Sequence, residues 1–410
     1  MRPPQSAMGL FAAHLSLCLL FTACAPLAGQ QRTVIVDTGQ ETCYDDLGGI
    51  DCPDPGDPFY GQDAHYDGPQ PAYHDNGDGT VTNLNTGLMW QKTPGEKLTF
   101  DEAVSGAETF ELAGYDDWRL PTIKQLYSLT DFRGNTGFSV ETSIPYIDIT
   151  VFDFEYGNEL AGERVIDAQH WSATEYVGTT MGGDPTAFGV NFADGRIKGY
   201  PIESPRGYMT AFVRYVRGNP DYGVNDFADN GDGTVTDLAT GLMWTKADSG
   251  VALNWQEALA YAEALECGGY DDWRLPNAKE LQSIVDYRYA PDATDSNRVG
   301  PAIDPVFELT TEDSCFWTST THVEHDRGDA AAYIAFGLAW GYMQQPPGWG
   351  DYVLLNVHGA GAQRSDPKSG DPADWPYGRG PQGDVIRIYN HVRCVRGGNP
   401  AVETDSGSNL

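Results

Sequence analysis

The chain has 410 residues, of which 40% are hydrophobic and 12% aromatic, and this composition excludes a chain that is disordered throughout. Asp and Glu number 59 against 25 Lys and Arg, so the formal net charge is −34. A surface of that charge repels polyanions and excludes nucleic acid as a partner, because such binding depends on cationic side chains that neutralise phosphate.

An export signal is predicted at the N-terminus. Met8 to Leu20 form a mostly apolar run after Arg2, and small residues precede Cys24. The run is too short for a conventional membrane span. It resembles a bacterial lipoprotein signal, in which cleavage before Cys24 leaves this cysteine to carry a lipid; ordinary signal-peptidase cleavage nearby is the alternative. Residues 1–23 are predicted to be removed, and the protein is expected in the cell envelope, as an outer-membrane lipoprotein or at the cell surface, with the lipid anchor as its only membrane contact.

Residues 24–70 are rich in Gly, Pro, Asp and Gln and show little periodicity, so we predict a tether and a small lead-in. Cys43 and Cys52 enclose a short Asp/Gly loop. In an oxidising compartment a local disulfide is the expected pairing. A metal site would need more thiol or imidazole ligands than this stretch supplies.

The rest of the chain is duplicated. The octapeptide Gly-Tyr-Asp-Asp-Trp-Arg-Leu-Pro occurs at 114–121 and again at 269–276. Other landmarks recur around both copies in the same order: Asp-Asn-Gly-Asp-Gly-Thr-Val-Thr at 75–82 and 229–236, Thr-Gly-Leu-Met-Trp at 86–90 and 240–244, and Val-Arg-x-Val-Arg-Gly at 213–218 and 392–397. The period is too long for a solenoid unit. We therefore predict globular domains at 71–219 and 225–398, followed by a flexible tail at 399–410.

Two helices are predicted early in each domain from capping boxes, in which the first residue caps the helix and the fourth bonds back to it. The pairs are Thr99 with Glu102, Thr122 with Gln125, Asn254 with Glu257, and Asn277 with Glu280. The Asp-Trp-Arg-Leu-Pro stretch between the helices is expected to be a corner of the fold, with Trp in the core and Arg bonded to backbone carbonyls or an Asp; a ligand contact is the alternative. The remaining segments have the pattern of short strands, so each domain is predicted to be α+β with two helices and a twisted antiparallel sheet.

The Asp-rich turns offer candidate metal ligands, namely Asp75 and Asp78 in the first copy and Asp229 and Asp232 in the second. They resemble a calcium loop, but their oxygens do not fall at the alternate positions of an EF-hand. A hairpin turn that uses Asn/Asp-Gly for positive φ explains the same residues without metal. Calcium is kept as the one candidate cofactor, and no other is expected.

The repeated landmarks, together with Glu-Leu-Gln-Ser-Ile-Val-Asp at 280–286 and Trp-Thr-Ser-Thr at 317–320, resemble the C-terminal domain of a bacterial collagen-like adhesin, the Lcl family. The resemblance covers roughly residues 72–218 and 226–397. It implies two tandem C-type-lectin-like domains and a binding role. The adhesin is associated with sulfated glycosaminoglycans. A net charge of −34 repels such a polyanion, so we do not expect this protein to bind it.

Three further cysteines, Cys267, Cys315 and Cys394, occur only in the second domain. The resemblance implies a bond between the first helix and the last strand, and Cys267 with Cys394 is the first choice, which would leave Cys315 free. The sequence leaves all three pairings open. The lectin-like fold is shared with formylglycine-generating enzymes, which use a reactive cysteine pair. The residues around these cysteines do not show the expected active-site pattern, so the protein is predicted not to be an enzyme.

The segment from Gly341 to Gly383 is the largest difference between the copies. In lectin-like folds the long loop between late strands binds ligands, and sugar recognition uses aromatic faces with directed hydrogen bonds. A long loop packed on itself by its own aromatics is the alternative. The candidate ligand-binding residues in and beside this loop are Trp340, Trp349, Asn356, His358, Gln363, Arg364, Asp366 and Trp375.

The predicted function is extracytoplasmic adhesion, in which a lipid-anchored protein binds a glycan or another surface protein through the long loop. A structural envelope protein without a soluble ligand is the main alternative. A diversified display protein of the retroelement-variable type and a relative of the formylglycine-generating enzymes are lesser ones. The sequence leaves the oligomeric state open.

Overall fold

The computed structural model describes Met1 and residues 33–204, 207–346 and 348–397. The chain divides into Met1–Gln31, of which only Met1 is described, and one unit that comprises Arg32–Leu410. Within the described ranges, no helix combines the length and the apolar character that crossing a membrane requires. The predicted signal peptide, Cys24 and the tail at 399–410 lie outside the described residues.

Short helices begin where the sequence predicts them. They are α1 (Phe100–Ala107), α2 (Ile123–Tyr127), α3 (Trp255–Glu263) and α4 (Ala278–Ser283). All the predicted capping boxes are confirmed, because each N-cap side chain accepts from the N3 backbone amide while the N3 side chain bonds back. In addition, 3-10 helices span Asp63–His65, Val140–Thr142, Glu159–Ala161, Ser296–Arg298 and Pro372–Asp374.

Strands make up most of the regular structure. Those of the first half are β1 (Cys43–Tyr44), β2 (Gly49–Ile50), β3 (Tyr73–Asp75), β4 (Thr80–Asn83), β5 (Met89–Gln91), β6 (Leu98–Thr99), β7 (Gln169–Glu175), β8 (Thr186–Asn191), β9 (Arg196–Pro201), β10 (Glu203–Ser204), β11 (Gly207–Tyr208), β12 (Thr210–Ala211) and β13 (Val216–Arg217). Those of the second half are β14 (Phe227–Asp229), β15 (Thr234–Asp237), β16 (Leu242–Thr245), β17 (Cys315–Glu324), β18 (Arg327–Ala335), β19 (Trp340–Gln345), β20 (Asp351–Asn356), β21 (Gln363–Pro367) and β22 (Val395–Gly397).

Each half contains a four-stranded antiparallel sheet built from the repeated landmarks. In the first half the order is β13-β5-β4-β3, and in the second half it is β14-β15-β16-β22. Trp90 on β5 pairs with Val81 and Val216, and Trp244 on β16 pairs in the same way with Val235 and Val395. The closing Val-Arg segment of each copy therefore returns to the Thr-Gly-Leu-Met-Trp segment of the same copy.

A six-stranded antiparallel sheet joins the two halves, in the order β17-β18-β21-β9-β8-β7. Each half supplies three strands, and the third strands of both copies, β9 and β21, meet at the centre with Ile197 opposite Gln363. The arrangement has approximate two-fold symmetry about this pair. It covers the edge that each three-stranded sheet would otherwise expose.

The predicted fold class is wrong. The protein is 12% helix and 31% strand in many small sheets, and its helices are short, so it is mostly β, and its largest sheet is shared by the halves rather than divided between two α+β domains. The physical reason is the shared sheet, because an unpaired third strand in each copy would leave a row of open backbone donors and acceptors. Periodicity along the chain carries no information on this pairing between copies.

Residues 33–40, which belong to the segment predicted as a tether, run buried between the two halves. The Thr38 carbonyl accepts from the amide of Phe132 in the first half. The Gln40 side chain bonds both the amide and the carbonyl of Thr321 in the second half. The Lys279 ammonium donates to the Asp37 carbonyl at 2.8 Å. This segment therefore satisfies polar groups of both copies at once.

Candidate functional site

A polar cleft of about 520 Å³ lies over the junction of β9 and β21. Residues of the first half around 163–169 and on β9 form one side, and β21 with residues 379–386 form the other. Successive residues of a strand point to opposite faces of its sheet. Ile197 and Gln363 are fully buried, and the residues after them, Lys198 and Arg364, line the cleft. The cleft therefore requires both copies of the repeat.

Each of these two cations has its own aspartate. The Lys198 ammonium lies 2.6 Å from Asp194 Oδ2, and Asp194 follows the end of β8. The Arg364 Nε donates to Asp384 Oδ2 at 3.0 Å, and Asp384 lies in the wall contributed by the second half. The two cations occupy equivalent places on β9 and β21, so the approximate symmetry of the sheet extends to them, although their aspartates come from different positions in the two copies.

Glu324, at the end of β17, joins two further cations. It bonds Arg196 Nη2 at 2.6 Å and Arg379 Nη2 at 2.8 Å. The same Arg196 nitrogen also donates to Ser365 Oγ at 2.8 Å. The cations and carboxylates of the cleft thus form a network that runs across the junction between the halves. We call the residues Asp194, Arg196, Lys198, Glu324, His358, Arg364, Arg379 and Asp384 the seam network.

Burial and neighbouring charges shift the pKa values in the seam network. Burial lowers the pKa of Lys198 to about 8; Asp194 opposes this shift, while the Arg364 and Arg196 charges add to it. Burial also lowers the pKa of His358 to about 4, so this imidazole is neutral at pH 7. Burial raises the pKa of Asp384, but Arg364 and His358 outweigh it and hold that pKa well below its usual range.

Several polar atoms of the cleft residues are buried without a hydrogen-bond partner among the described residues: Arg364 Nη1, Arg196 Nε, Asp194 Oδ1, Tyr200 Oη and His358 Nδ1. A buried polar group without a partner costs about 1–3 kcal/mol, so such groups are uncommon in native proteins. Other such atoms lie elsewhere among the described residues, but five belong to residues of one cleft, where a polar ligand or ordered water can satisfy them.

The structure brings only some of the predicted ligand-binding residues together. His358 and Arg364 belong to the seam network. Gln363 and Asp366 are buried on β21, where Asp366 accepts from the Arg387 amide and from Asn390 Nδ2 at 3.1 Å. The side chain of Asn356 donates to Asp292 Oδ2 at 2.8 Å and to the Tyr176 hydroxyl at 3.1 Å. Gln363 Nε2 donates to the Arg364 carbonyl at 3.0 Å, so Gln363, Asp366 and Asn356 all bond other groups of the protein.

Of the described tryptophans in and beside the long insertion, only Trp375 contacts a member of the seam network. Trp340 begins β19 and donates from Nε1 to Asp313 Oδ2 at 2.6 Å. Trp349 lies between β19 and β20 and is 78% exposed. Trp375 follows a 3-10 helix, with the Arg379 guanidinium 6.0 Å from its ring centroid. The insertion is therefore divided between an exposed hairpin and one wall of the cleft.

Sequence reasoning missed most of the seam network, namely Asp194, Arg196, Lys198, Glu324, Arg379 and Asp384. One local signal was present, since Asp194, Arg196 and Lys198 alternate along a stretch beside a predicted strand, in a chain with few cations. Alternate positions of a strand share a face. No comparable alternation marks Glu324, Arg379 and Asp384. These residues reach the cleft face of β9 only because the two copies pair.

The Asp-rich turns have the same geometry in both copies. Asp75 Oδ2 lies 2.7 Å from Lys92 Nζ while its Oδ1 accepts from the Gly77 amide, and Asp229 pairs with Lys246 at 2.8 Å. Asp78 and Asp232 each accept from a threonine two residues later. These bonds close the turns without an ion, and calcium stays a prediction.

The cysteines within residues 33–397 divide into one bonded pair and three thiols. The predicted Cys43–Cys52 disulfide is confirmed. The predicted bond between Cys267 and Cys394 is not formed, and Cys315 is also a free thiol. Cys267 lies beyond the end of α3 with its Sγ 3.7 Å from the Gly233 carbonyl, whereas Cys394 is fully buried. Among the described residues, the one group of three metal-capable side chains is Cys43, Cys52 and His65, and its two sulfurs are already joined.

The comparison with protein families gives two matched segments. The family model of the Lcl C-terminal domain matches residues 79–217 and 233–353, which together exceed half of the chain. The chain belongs to the Lcl C-terminal domain family. The two matches agree with the duplication read from the sequence, and an adhesin-like domain fits a binding role in broad terms.

No curated protein and no solved structure matches the chain. The second segment matched by the Lcl model ends at residue 353. Four members of the seam network therefore lie beyond the matched segments: His358, Arg364, Arg379 and Asp384. The family assignment does not by itself carry a ligand to the cleft.

Proposed function

We propose that this protein is an exported binding and adhesion protein that recognises a glycan or a surface protein through the cleft between its two halves. The observation that carries the proposal is the set of unpartnered buried polar atoms around that cleft. We propose that these groups bond a polar ligand directly or through ordered water, and a volume of about 520 Å³ falls within the range of small-ligand sites.

An exposed aromatic group on the long insertion supports recognition of an extended ligand. Tyr352 on β20 stacks on Tyr377 with their ring centroids 4.2 Å apart, and Trp349 is exposed nearby in sequence, between β19 and β20. Aromatic faces that remain exposed can stack on sugar rings or on a partner's apolar groups. The hairpin and the cleft wall belong to the same insertion, so a longer glycan that enters the cleft is proposed to continue onto the hairpin.

The proposed location is the cell envelope, with Cys24 as the lipid anchor. The Cys43–Cys52 disulfide supports export, because such bonds persist mainly in oxidising compartments. The net charge of −34 supports a soluble surface that does not adhere to polyanions.

The proposed role is binding without catalysis. Burial raises the pKa of Cys315 to about 12 and also raises that of Cys394 above its ordinary value. A thiol that stays protonated is a poor nucleophile. This supports a packing role for these two cysteines.

The proposal is tested on a broad glycan array with the predicted mature chain carrying Cys24→Ser, in buffers with and without millimolar calcium. Thr210 is exposed at the rim of the cleft, so Thr210→Trp is expected to block entry and abolish the signal without removing any member of the seam network. Leu238→Trp, at an exposed turn outside the cleft, is the matched control and is expected to bind as the wild type does.

Binding that survives Thr210→Trp unchanged would reject the cleft as the binding site. Binding that requires calcium would support the Asp-rich turns as a calcium site. A folded protein that binds no glycan in either buffer would favour a protein ligand or a structural envelope role.

A further inference from the structure

The charges of the seam network do not balance. Its positively charged members are Arg196, Lys198, Arg364 and Arg379, and its carboxylates are Asp194, Glu324 and Asp384. His358 bonds Asp384 and is neutral at pH 7. One positive charge is therefore unmatched within the seam network.

The other charged residues that line the cleft are Glu163, Arg164 and Asp167, and the excess remains only because Glu163 has a cationic partner, Lys97, that lies outside the lining. Arg164 pairs with Asp167 at 2.6 Å, and Glu163 pairs with Lys97 at 2.6 Å. Each of these pairs is neutral as a whole. A recessed, partly dry site that carries one surplus positive charge favours a ligand with one negative charge.

Two cations with unused hydrogen-bonding capacity lie at equivalent positions on the two strands. Arg364 Nη1 has no partner, and within the described part of the chain Asp194 is the one hydrogen-bond acceptor of the Lys198 ammonium. Lys198 and Arg364 are close enough for the Arg364 charge to lower the pKa of Lys198. An anionic group placed between them would accept from both and would relieve their mutual repulsion.

We infer that the cleft takes a small hydroxylated or amide-bearing ligand through a single carboxylate group, which lies between Lys198 of the first copy and Arg364 of the second. This inference rests on the proposed binding function and names the chemical group that the site recognises. A carboxylate carries the one charge that the seam network lacks, and its two oxygens can accept from a cation on each strand.

A doubly charged or polymeric anion fits less well. The seam network already holds three carboxylates, and a second ligand charge would exceed the single surplus positive charge. Outside the cleft, the net charge of −34 repels a polyanion that extends over the surface. At physiological salt, charges more than about 8 Å apart are largely screened, so a small monoanion in the cleft is far less affected.

The test measures binding by isothermal titration calorimetry, with the predicted mature chain carrying Cys24→Ser and with paired probes. D-galacturonate presents a carboxylate on a sugar, and D-galacturonamide is its uncharged counterpart. N-acetylglycine presents the same group as a peptide terminus does, and galactose 6-phosphate is a doubly charged sugar. We expect at least one carboxylate probe to bind about tenfold or more tightly than galacturonamide and galactose 6-phosphate, the size of one charge-assisted hydrogen bond.

Variants assign the effect to the seam network. Lys198→Met removes one of the two cations that flank the carboxylate, and we expect a loss of about tenfold or more in affinity for the carboxylate probe. Arg379→Gln removes the surplus positive charge of the seam network. The Arg379 side chain is one-third exposed, so the substitution carries little risk to folding. We expect a several-fold loss of affinity for the carboxylate probe. Arg288→Gln, an exposed arginine outside the cleft that pairs with Asp286, is the matched control and should bind as the wild type does.

The outcomes separate this inference from the proposed function. Binding of galacturonate alone assigns the carboxylate to a sugar acid, and binding of N-acetylglycine alone assigns it to a peptide terminus; both support the inference. Equal affinity for galacturonate and galacturonamide, no binding of either carboxylate probe, or unchanged affinity in Lys198→Met and Arg379→Gln would overturn it. The proposed function would still stand if an uncharged glycan bound on the array and Thr210→Trp abolished that signal.

Discussion

Asp63 is a carboxylic acid buried where the N-terminal segment meets the second half. Its Oδ2 accepts from Thr38 Oγ1 at 2.8 Å and from Thr320 Oγ1 at 2.5 Å. Burial raises its pKa to about 7, and the charges of Asp37 and Glu280 add to that shift. Because this pKa lies above the unfolded value of 3.8, the folded protein binds the proton more tightly than the unfolded chain does.

Asp63→Asn is therefore expected to stabilise the protein at pH 8 relative to the wild type, by at most about 4 kcal/mol, and to have little effect at pH 4. The sign follows because the wild-type contribution is largest below about pH 4 and is lost as pH rises to about 7. Buried His322 and His358, whose pKa values are lowered to about 4, give the opposite slope between about pH 4 and 6.5. Their contribution is the same in the variant and in the wild type, so it cancels in the difference between the two free energies of unfolding, which urea unfolding measures. A difference that does not change between pH 4 and pH 8 would contradict the raised pKa.

Lys198 links ligand affinity to pH. The charged and titratable groups that face it are Asp194, Arg196, Arg364 and His358. A bound carboxylate adds a negative charge and raises the pKa of Lys198 above its value of about 8 in the free protein.

Affinity for a carboxylate probe is expected to be constant from pH 6 to pH 7 and to fall as pH rises above about 8, when Lys198 loses its proton in the free protein. Titration calorimetry at several pH values measures this slope. Arg379→Gln should weaken binding yet keep the slope, because Lys198 is intact, whereas Lys198→Met should lose it. A slope that persists in Lys198→Met would assign the proton to another group.

The contact between β9 and β21 is narrow. Beyond the pairing of Ile197 with Gln363, the Gly199 amide donates to the His358 carbonyl at 2.9 Å. A Cβ at Gly199 would lie 2.6 Å from that carbonyl oxygen and 2.7 Å from Thr186 Cγ2. Backbone atoms cannot move away easily, so this glycine permits the close approach of the two copies.

Gly199→Ala is expected to lower the free energy of unfolding by about 1–3 kcal/mol, since a methyl group forces the strands apart at the junction. Gly48→Ala is the control, because a Cβ there meets no atom within 4 Å. Thermal and denaturant unfolding of both variants measure the effect. Equal stability of the two variants would mean that the junction does not constrain the fold.

The sequence predicts the local parts of this fold and misses the pairing between copies. The capping boxes are local, and the pair Asn277 and Glu280 forms as predicted. The octapeptide corner is also confirmed, because Trp118 is buried and Arg119 Nη2 donates to the Gly218 and Asn219 carbonyls. These outcomes follow from interactions between neighbouring segments or between landmarks of one copy.

The candidate site, unlike the capping boxes, depends on the pairing of the two copies, and the sequence predicts only part of it. His358 and Arg364 were predicted as ligand-binding residues from the long insertion, and both line the cleft. Lys198 and Asp194 were missed, because the sequence places them in a copy without an insertion. Their role depends on β9 meeting β21, and no spacing along one copy encodes that event.

Each half is expected to depend on the other for its folded structure. They share the central sheet, and residues 33–40 bond to both. A protease site inserted between Pro220 and Asp221, which are both exposed, allows the connection to be cut after folding. We expect the nicked protein to elute at the size of the intact chain in size-exclusion chromatography and to keep its thermal transition.

The first half expressed alone, ending at Asn219, is the complementary sample. Its β9 edge would be unpaired, so it is expected to associate or to remain poorly folded. Two separate folded monomers after nicking, together with a well-folded isolated first half, would contradict the shared sheet.

The position of the cleft also sets the valence of the protein. Two copies of a binding domain on one chain would ordinarily offer two equivalent sites and an avidity gain from their linkage. Under the proposed function, the two copies build the binding cleft between them, so duplication yields one such cleft, whose opposite walls can diverge separately. For a lipid-anchored adhesin of the kind proposed above, strong attachment of a cell would then come from many chains displayed side by side, and the density of chains, rather than the number of repeats in each, would determine how firmly the cell holds.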